Sequence, residues 1–226
     1  MGRVKEVRGL YLAKKIRSSY PYGFTGAIVT GERGIGKSSF ALNIAWEVFR
    51  ELIDPDTNEY YTEDVSWRKA LDSVVFTISD VIDAISAAAK RKDPLRILCW
   101  DDCGVYANTM SWWRERTLLD KLKAVLDTVR SGCTGLVLTT PSENDLSKVV
   151  RNYDDYIVQI RYSDDGGGYR VAKGYLKRTL PSGSKRIYLK FRNRFVVTLP
   201  DWVFSEYMEH RDRVFQDQLE YLKQNI

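Results

Sequence analysis

One stretch of eight residues constrains this chain more than any other feature of its sequence. Residues 31–38 read GERGIGKS and fit the phosphate-binding pattern G-x-x-x-x-G-K-[ST] at every fixed position. The apolar run 27–30 before it predicts a short buried strand, and the amphipathic stretch 39–49 after it predicts a helix. Strand, loop and helix in this order are the context that the pattern requires. Glycines let the loop bend around a polyphosphate with its N–H groups pointing inward, and the N-terminus of the helix adds positive partial charge.

Two side chains of this loop have specific expected roles beside a bound nucleotide. Lys37 can reach the outer phosphates, and Ser38 can hold a magnesium ion. We therefore expect a nucleotide with Mg²⁺ as the ligands of this loop. The expected nucleotide-binding residues are those of the loop and the residue after it: Gly31, Glu32, Arg33, Gly34, Ile35, Gly36, Lys37, Ser38 and Ser39.

A second landmark is the stretch 97–102, which reads ILCWDD. Four apolar residues followed by an acid predict a buried parallel strand that delivers a carboxylate at its C-terminal end, the edge at which ligands bind in open α/β sheets. Asp101 is expected to hold the magnesium ion together with Ser38, and Asp102 to orient or deprotonate an attacking water. An acid directly after the metal-binding aspartate indicates a hydrolase rather than a protein that only binds nucleotide.

A third buried strand is predicted at 135–140, and it again ends in polar residues on the expected ligand edge. Thr139 or Thr140 could hydrogen-bond the water or the terminal phosphate. A short helix capped at Ser142 is predicted to run to Val150, with Arg151 at its end. The other elements predicted before residue 156 are helices at 64–71, 81–90 and 114–130 and a strand at 74–77.

The pattern changes after residue 156. Strands at 156–162, 169–179 and 186–197, separated by turns rich in glycine and serine, predict an antiparallel meander, and 201–224 predicts a helix. The sequence therefore predicts an α/β fold: a three-layer P-loop NTPase with a mainly parallel central sheet, extended by a C-terminal antiparallel β meander and a terminal helix. The expected division is a basic N-terminal segment at 1–24, a nucleotide-binding core at 25–162, and the meander with its helix at 163–226.

The meander carries the positive charge of the chain. Between residues 166 and 200 there are nine basic residues and no acidic one, although the whole chain carries only +5. Tyrosines and a phenylalanine lie between them, and basic side chains with aromatic neighbours suit a nucleic-acid backbone. A solvated sheet face with lysines that block aggregation is the alternative interpretation. The expected DNA-binding residues are Arg170, Lys173, Lys177, Arg178, Lys185, Arg186, Lys190, Arg192 and Arg194.

The composition excludes several classes of protein. A hydrophobic content of 44% and a charged content of 29% are typical of a soluble globular protein. No apolar run approaches the roughly 20 residues that span a bilayer, and lysines and an arginine interrupt any signal-peptide core, so we expect a cytoplasmic protein. Three scattered cysteines and a single histidine argue against a disulfide framework, a zinc site or histidine-based catalysis. In the N-terminal segment, Tyr20 or Tyr22 could stack on a nucleotide base, although a surface turn is an equal alternative.

With these motifs placed, residues 25–162 resemble the additional-strand (ASCE) division of P-loop ATPases. In that division an extra strand separates the strand of the phosphate loop from the strand of the acidic pair. The resemblance implies ATP as the nucleotide, ATP hydrolysis as the activity, Asp101 as the Walker B metal ligand and Asp102 as the catalytic acid. It implies that Thr139 or Thr140 is the sensor-1 residue.

The same resemblance implies a homo-oligomer. Arg151 looks like an arginine finger, by its place between a helix and the next strand, and Arg130 is the alternative. Such a finger reaches the nucleotide of a neighbouring subunit in a ring or filament. The catalytic residues implied by the resemblance are Lys37, Asp102, Thr139, Thr140 and Arg151.

Two departures from the pattern narrow the resemblance. Asp102 stands where glutamate is commoner, and an Asp-Asp pair is similar to that of DnaA-type initiators. The C-terminal part has no helical lid of the AAA+ type, and its strands look more like the FtsK–HerA group of DNA pumps, which includes viral packaging ATPases. The small size is similar to that of ATPases carried by archaeal viruses and plasmids. These likenesses imply an ATPase that translocates, packages or remodels DNA.

Four alternatives stay open from the sequence. One is a kinase of a nucleoside or small molecule, although the arginine-rich segment is strand-like rather than a lid. Another is a helicase-loader or initiator-type ATPase. A GTP switch is a third, because residues 101–104 satisfy D-x-x-G, but no N-K-x-D or T-K-x-D element is present. The last is a DNA-binding adaptor that does not hydrolyse nucleotide.

Overall fold

Strands and helices alternate along the first two thirds of the chain, and antiparallel strands follow. The computed structural model describes residues 9–106, 116–151, 155–164, 168–179 and 185–224. The strands are β1 (Thr25–Thr30), β2 (Val74–Val75), β3 (Leu98–Trp100), β4 (Gly135–Thr140), β5 (Tyr156–Tyr162), β6 (Tyr169–Thr179) and β7 (Lys185–Val196). The helices are α1 (Tyr11–Ser19), α2 (Lys37–Arg50), α3 (Glu63–Asp72), α4 (Ile78–Arg91), α5 (Cys103–Tyr106), α6 (Arg116–Asp127), α7 (Lys148–Arg151) and α8 (Asp201–Gln224).

All seven of these strands form one sheet, in the order β2-β3-β4-β1-β5-β6-β7. The five strands from β2 to β5 in this order are parallel, and β6 and β7 continue the sheet in antiparallel pairs. β4 therefore lies between β1, which leads into the phosphate loop, and β3, which leads into the acidic pair. Because the parallel strands end at the same edge, the loop and the acids meet there.

Two apolar clusters cover the two faces of the sheet. Successive residues of β1 belong to opposite clusters, because side chains alternate between the faces of a strand: Val29 packs with α1 and α2, and Ile28 packs with α4 and α6. The first cluster also takes in Phe191 and Phe195 of β7. Among the described residues, the second cluster contains none beyond Val150. The predicted three-layer α/β fold with its C-terminal antiparallel extension is confirmed.

The N-terminal segment contains a helix that the sequence analysis did not predict. The basic residues of this stretch obscured a buried stripe, which consists of Leu12, Ala13 and Ile16. These side chains pack beside α2 in the first cluster, while the basic residues between them face outward. The helix ends at Ser19, before Tyr20-Pro21.

The suggestion that Tyr20 or Tyr22 stacks on a nucleotide base is wrong. Both lie before the first residue of β1, whereas the phosphate loop follows its last residue, at the opposite edge of the sheet. The Tyr20 hydroxyl donates to Asp93, and the guanidinium of Arg96 lies over its ring. Tyr22 is 91% exposed.

The predicted helix from Ser142 to Val150 is also wrong in part. Ser142 and Asp145 do form a capping box, but it closes a 3₁₀ turn at Glu143–Asp145. Leu146 is then extended and wholly buried, and this interrupts the helix until α7 begins at Lys148. The tryptophan pair at 112–113, just before the predicted helix 114–130, lies outside the described residues.

Candidate functional site

The phosphate loop joins the end of β1 to the start of α2. Gly31, Gly34 and Gly36 have φ angles of 149°, 76° and 101°, in the left-handed region that favours glycine. Gly36 is also the N-cap of α2, so the loop passes directly into the N-terminus of the helix. A Cβ atom at Gly36 would lie 2.1 Å from Cγ1 of Val197, so no side chain fits there. The loop has the backbone that a polyphosphate cradle requires.

Lys37 lies across this loop. Its side chain is buried, and Nζ donates to the carbonyl oxygens of Gly31 at 3.0 Å and Glu32 at 2.9 Å. Burial lowers the pKa of Lys37, and the carboxylates of Asp102 and Asp101 oppose this shift. The ammonium is therefore held near the start of the loop and close to the acidic pair.

Three hydroxyl groups converge on the buried carboxylate of Asp101. Ser38 Oγ donates to Oδ1 at 3.0 Å, Thr139 Oγ1 also donates to Oδ1, and Tyr207 Oη donates to Oδ2. Burial raises the pKa of Asp101 and the neighbouring charge of Asp102 adds to this, while the three hydrogen bonds lower it. The structure thus brings together Ser38, Asp101 and Thr139, which the sequence analysis assigned to one centre.

These oxygens suit a magnesium ion. Mg²⁺ prefers oxygen ligands and is commonly held by one or two carboxylates together with phosphates and waters. Ser38 Oγ and Asp101 Oδ1 lie 3.0 Å apart, so one small cation could contact both. The donor set therefore fits the metal that accompanies a nucleotide at such a loop.

Asp102 lies directly beside this centre in an unusual backbone conformation. Its φ angle is 48°, which is disfavoured for a residue with a side chain, and its N–H donates to Thr139 Oγ1 at 3.0 Å. The carboxylate accepts two bonds from Arg211: Nε lies 3.1 Å and Nη2 2.7 Å from Oδ2. Thr139 therefore links the two acids, because its hydroxyl accepts from one residue and donates to the other.

Sequence reasoning missed Tyr207 and Arg211. Both lie on α8, more than 100 residues from the acids that they contact. A tyrosine and an arginine four residues apart on an amphipathic helix match no motif. Only the sheet order and the packing of α8 bring them to the site.

Two other predicted site residues form their hydrogen bonds with groups other than the acidic pair. Thr140 Oγ1 donates to the carbonyl oxygen of Ser142 at 3.1 Å, so this hydroxyl is bonded within its own loop. Arg151 donates to Asn144 Oδ1 at 3.4 Å at the end of α7. Of the two candidate sensor threonines, Thr139 is the one that contacts the acids.

The remaining residues of the loop differ in exposure. Glu32 and Arg33 are exposed, whereas Ile35 is buried. The carbonyl oxygen of Ile35 accepts from Arg170 Nε at 3.2 Å. Ser39, in the first turn of α2, accepts a bond at its carbonyl oxygen from Asn43. Arg170, which we expected on a DNA-binding surface, therefore contacts the phosphate loop.

The basic residues of the meander divide between the two faces of the sheet. Residues paired across neighbouring strands share a face. Arg170 is paired with Phe195, Lys173 with Arg192, and Val171 with Arg194. Because Phe195 packs toward α1 and α2, Arg170 lies on that face. The opposite face carries Lys173, Lys177, Arg192 and Arg194, and the first face carries Arg170, Arg178 and Arg186.

The other basic residues of the meander lie in different surroundings. Lys190 is exposed at a β-bulge, where the register shifts beside Gly174. Lys177 forms an ion pair with Glu143 at 3.5 Å, and Arg194 stacks on Tyr169 with 4.1 Å from Cζ to the ring centroid. The side chain of Lys185 lies outside the described residues. Among the helices that the structure describes, none is long and apolar enough to cross a membrane.

Comparison with known proteins finds relatives in two viruses. No protein-family model matches it. Protein B-251 of Sulfolobus spindle-shape virus 1 is 30% identical over 217 residues, which cover 93% of this chain and 82% of B-251. The chain belongs to the B-251 family. Protein ORF286 of Acidianus two-tailed virus is 26% identical to this chain over 146 residues, which cover 63% of this chain and 46% of ORF286.

Solved structures give more distant likenesses. The N-terminal domain of zonular occludens toxin from Neisseria meningitidis is 17% identical to this chain. Its TM-score is 0.45, and the match covers 81% of this chain and 98% of that domain. The RadB recombinase is 15% identical, with a TM-score of 0.44 over 81% and 95% of the two chains. The flagellar accessory protein FlaH from Methanocaldococcus jannaschii is 12% identical, with a TM-score of 0.40 over 81% and 97%.

Proposed function

We propose that this chain is an Mg²⁺-dependent ATPase of the additional-strand division that acts on DNA as a homo-oligomer. The observation that carries the proposal is the cluster at the C-terminal edge of the sheet. There Ser38 and Thr139 both donate to Asp101, with Asp102 adjacent and Lys37 across the loop. The position of β4 between β1 and β3 supports the assignment to this division.

Each residue of the cluster has a role in hydrolysis. The loop N–H groups and Lys37 bind the phosphates, and Ser38 and Asp101 hold Mg²⁺. The ion would neutralise charge that develops on the phosphoryl oxygens. Asp102 orients or deprotonates the attacking water, which Thr139 helps to place. A second acid beside the metal ligand favours hydrolysis over binding alone.

The DNA partner is proposed from the charge of β6 and β7. The face that carries Lys173, Lys177, Arg192 and Arg194 also presents exposed Ile187 and Leu189 on β7. Lysine and arginine neutralise phosphates and release counterions from nucleic acid. We propose that this face binds the DNA that the chain translocates, packages or remodels. Oligomerisation is proposed because Arg151 or the exposed Arg130 could then complete the site of a neighbour.

The test is the steady-state ATPase rate with and without single- and double-stranded DNA, at about 50 and 200 mM salt. We expect Mg²⁺-dependent hydrolysis that DNA stimulates, with stimulation that falls steeply as salt rises. Lys37→Ala should abolish turnover, whereas Lys90→Ala, an exposed lysine of α4, should not. Turnover that survives Lys37→Ala would refute the assignment of the loop. Phosphate transfer to a nucleoside without DNA stimulation would identify a kinase instead.

A further inference from the structure

Two residues of α8 contact the two acids of the site in succession. Tyr207 Oη donates to Asp101 Oδ2, and Arg211 donates twice to Asp102 Oδ2. Tyr207 and Arg211 are four residues apart, so they lie one above the other on the same face of the helix. One face of α8 therefore donates hydrogen bonds to the carboxylates of two consecutive residues.

The helix that carries these side chains is anchored in the core. Val203 is wholly buried and Tyr207 nearly so, both in the first apolar cluster. The ring of Phe76 lies 6.1 Å from that of Tyr207 and 5.1 Å from that of His210, between centroids. Arg68 of α3 also pairs with Glu206. Packing thus sets the position of this turn of α8, and with it the position of the Arg211 backbone.

The geometry at Asp102 distinguishes possible roles of Arg211. Nε and Nη2 both bond to Oδ2, so Oδ1 takes no part in this ion pair. The left-handed backbone of Asp102 is secured by the bond from its N–H to Thr139. Among the described residues, Arg211 therefore holds this carboxylate by one oxygen and leaves Oδ1 outside the ion pair. The guanidinium also offsets the repulsion between two adjacent carboxylates.

We propose that Arg211 is a positioning residue for hydrolysis, acting through Asp102, and that Tyr207 does the same for Asp101. This inference rests on the proposed ATPase function. Arg211 holds the carboxylate of Asp102 in the orientation that the attacking water requires. Tyr207 holds Asp101 in the orientation that Mg²⁺ requires. The terminal helix is then part of the catalytic centre rather than an appendage.

The experiment compares the full-length chain with Arg211→Ala, Arg211→Lys and Tyr207→Phe. The matched control is Arg213→Ala, because Arg213 lies on the same helix and forms an exposed ion pair with Glu209. The measurements are kcat and KM for ATP, the Mg²⁺ concentration at half-maximal rate, and thermal unfolding. We expect Arg211→Ala to lower kcat about 10- to 100-fold, as loss of a residue that orients a catalytic group typically does, with little change in KM.

The two other variants separate positioning from loss of structure. Arg211→Lys should recover part of kcat, since lysine keeps the charge but loses the fixed planar geometry. Tyr207→Phe should raise the Mg²⁺ concentration at half-maximal rate. Arg211→Ala should leave this concentration unchanged. Arg213→Ala should resemble the wild type. If Arg211→Ala does not fold, an intermediate kcat in Arg211→Lys supports the proposal and an unchanged kcat refutes it.

Three results would overturn the inference while leaving the ATPase function intact. An increase of kcat in Arg211→Ala would mean that the ion pair restrains Asp102. A higher KM with unchanged kcat would mean that Arg211 binds phosphate. Wild-type kinetics in Arg211→Ala would mean that the contact has no role in hydrolysis. No hydrolysis by the wild type would refute the proposed function itself.

Discussion

The parallel and antiparallel parts of the sheet use their residues in opposite ways. In β4 all six residues are buried, because helices cover both faces of the parallel part. In β7, Phe191, Asn193 and Phe195 are buried, whereas residues 186–190 are all exposed. The parallel part is thus buried on both faces, and its candidate functional residues lie at one edge. The antiparallel part is core on one face near the phosphate loop and surface elsewhere.

The two proposed activities lie in different parts of the sheet, and these parts are in contact. The proposed nucleotide site lies at the edge of the parallel part, and the proposed DNA surface lies on a face of the antiparallel part. Two contacts connect them: Arg170 of β6 donates to the Ile35 carbonyl, and Val197 after β7 lies against Gly36. The meander is therefore in direct contact with the loop that would bind ATP. Four predictions test this division of roles, in order of decreasing effect.

The largest effect is expected in the parallel part at Asp102. Asp102→Asn removes the proposed base but keeps the shape of the side chain, so kcat should fall about 10²- to 10⁴-fold. ATP binding should persist, because the loop and Lys37 are unchanged. Phosphate release and equilibrium ATP binding measure the two effects. The control is Asp83→Asn, an exposed acid of α4, and equal rates in both variants would contradict the role of Asp102.

The next effect concerns the boundary between the two parts at Gly36. Gly36→Ala combines a left-handed backbone, at about 1–2 kcal/mol, with overpacking against Val197, at about 1–3 kcal/mol. We expect the free energy of unfolding to fall by the sum of these two terms. Gly34→Ala has the same backbone problem, but its Cβ would have no neighbour within 4 Å, so it should lose only the first term.

Urea denaturation measures these losses. Adding Val197→Ala to Gly36→Ala should recover the overpacking part alone. If Gly36→Ala destabilised the chain no more than Gly34→Ala does, the end of β7 would not press on the loop. The two parts of the sheet would then be less closely coupled than the contact indicates.

A smaller, salt-dependent effect is expected on the face of the antiparallel part. Lys173 and Arg192 are paired across β6 and β7. Changing both to Gln should reduce the slope of log affinity for DNA against log salt by about 1.8, since each phosphate contact contributes about 0.9. Lys90→Gln with Arg91→Gln removes the same charge from α4, and filter-binding or anisotropy titrations compare the pairs. An equal loss in the control would mean that the overall charge binds DNA, and not this face.

The smallest effect is expected at Arg170, where the two parts meet. Arg170→Ala removes its bond to the Ile35 carbonyl, worth about 1 kcal/mol, so ATP affinity should fall about fivefold. Its effect on the DNA salt slope should be smaller than that of the Lys173 and Arg192 pair. A titration with a fluorescent ATP analogue measures the affinity. If ATP affinity were unchanged and DNA binding fell strongly, Arg170 would belong to the DNA-binding surface, as the sequence predicted.

The prediction from sequence succeeded where short stretches carry their own geometry. The loop could be placed because its glycines, lysine and serine fall at fixed spacings between a strand and a helix. The strands were found because apolar runs ending in polar residues are local signals. Helix α1 was missed because its buried residues lie among lysines and arginines, and the helix after Ser142 was overextended because its capping box closes only a 3₁₀ turn.

The sequence alone is enough to place the phosphate loop, the acidic pair and the change from parallel to antiparallel strands. Each depends on residues close together in the chain, where backbone preference and side-chain alternation decide the structure. The folded structure is needed to find that Tyr207 and Arg211 contact the acids and that Arg170 contacts the loop. These contacts join residues more than 100 positions apart, and they depend on strand order, register and the packing of α8. No local spacing encodes such a contact, because its geometry exists only once the whole sheet has formed.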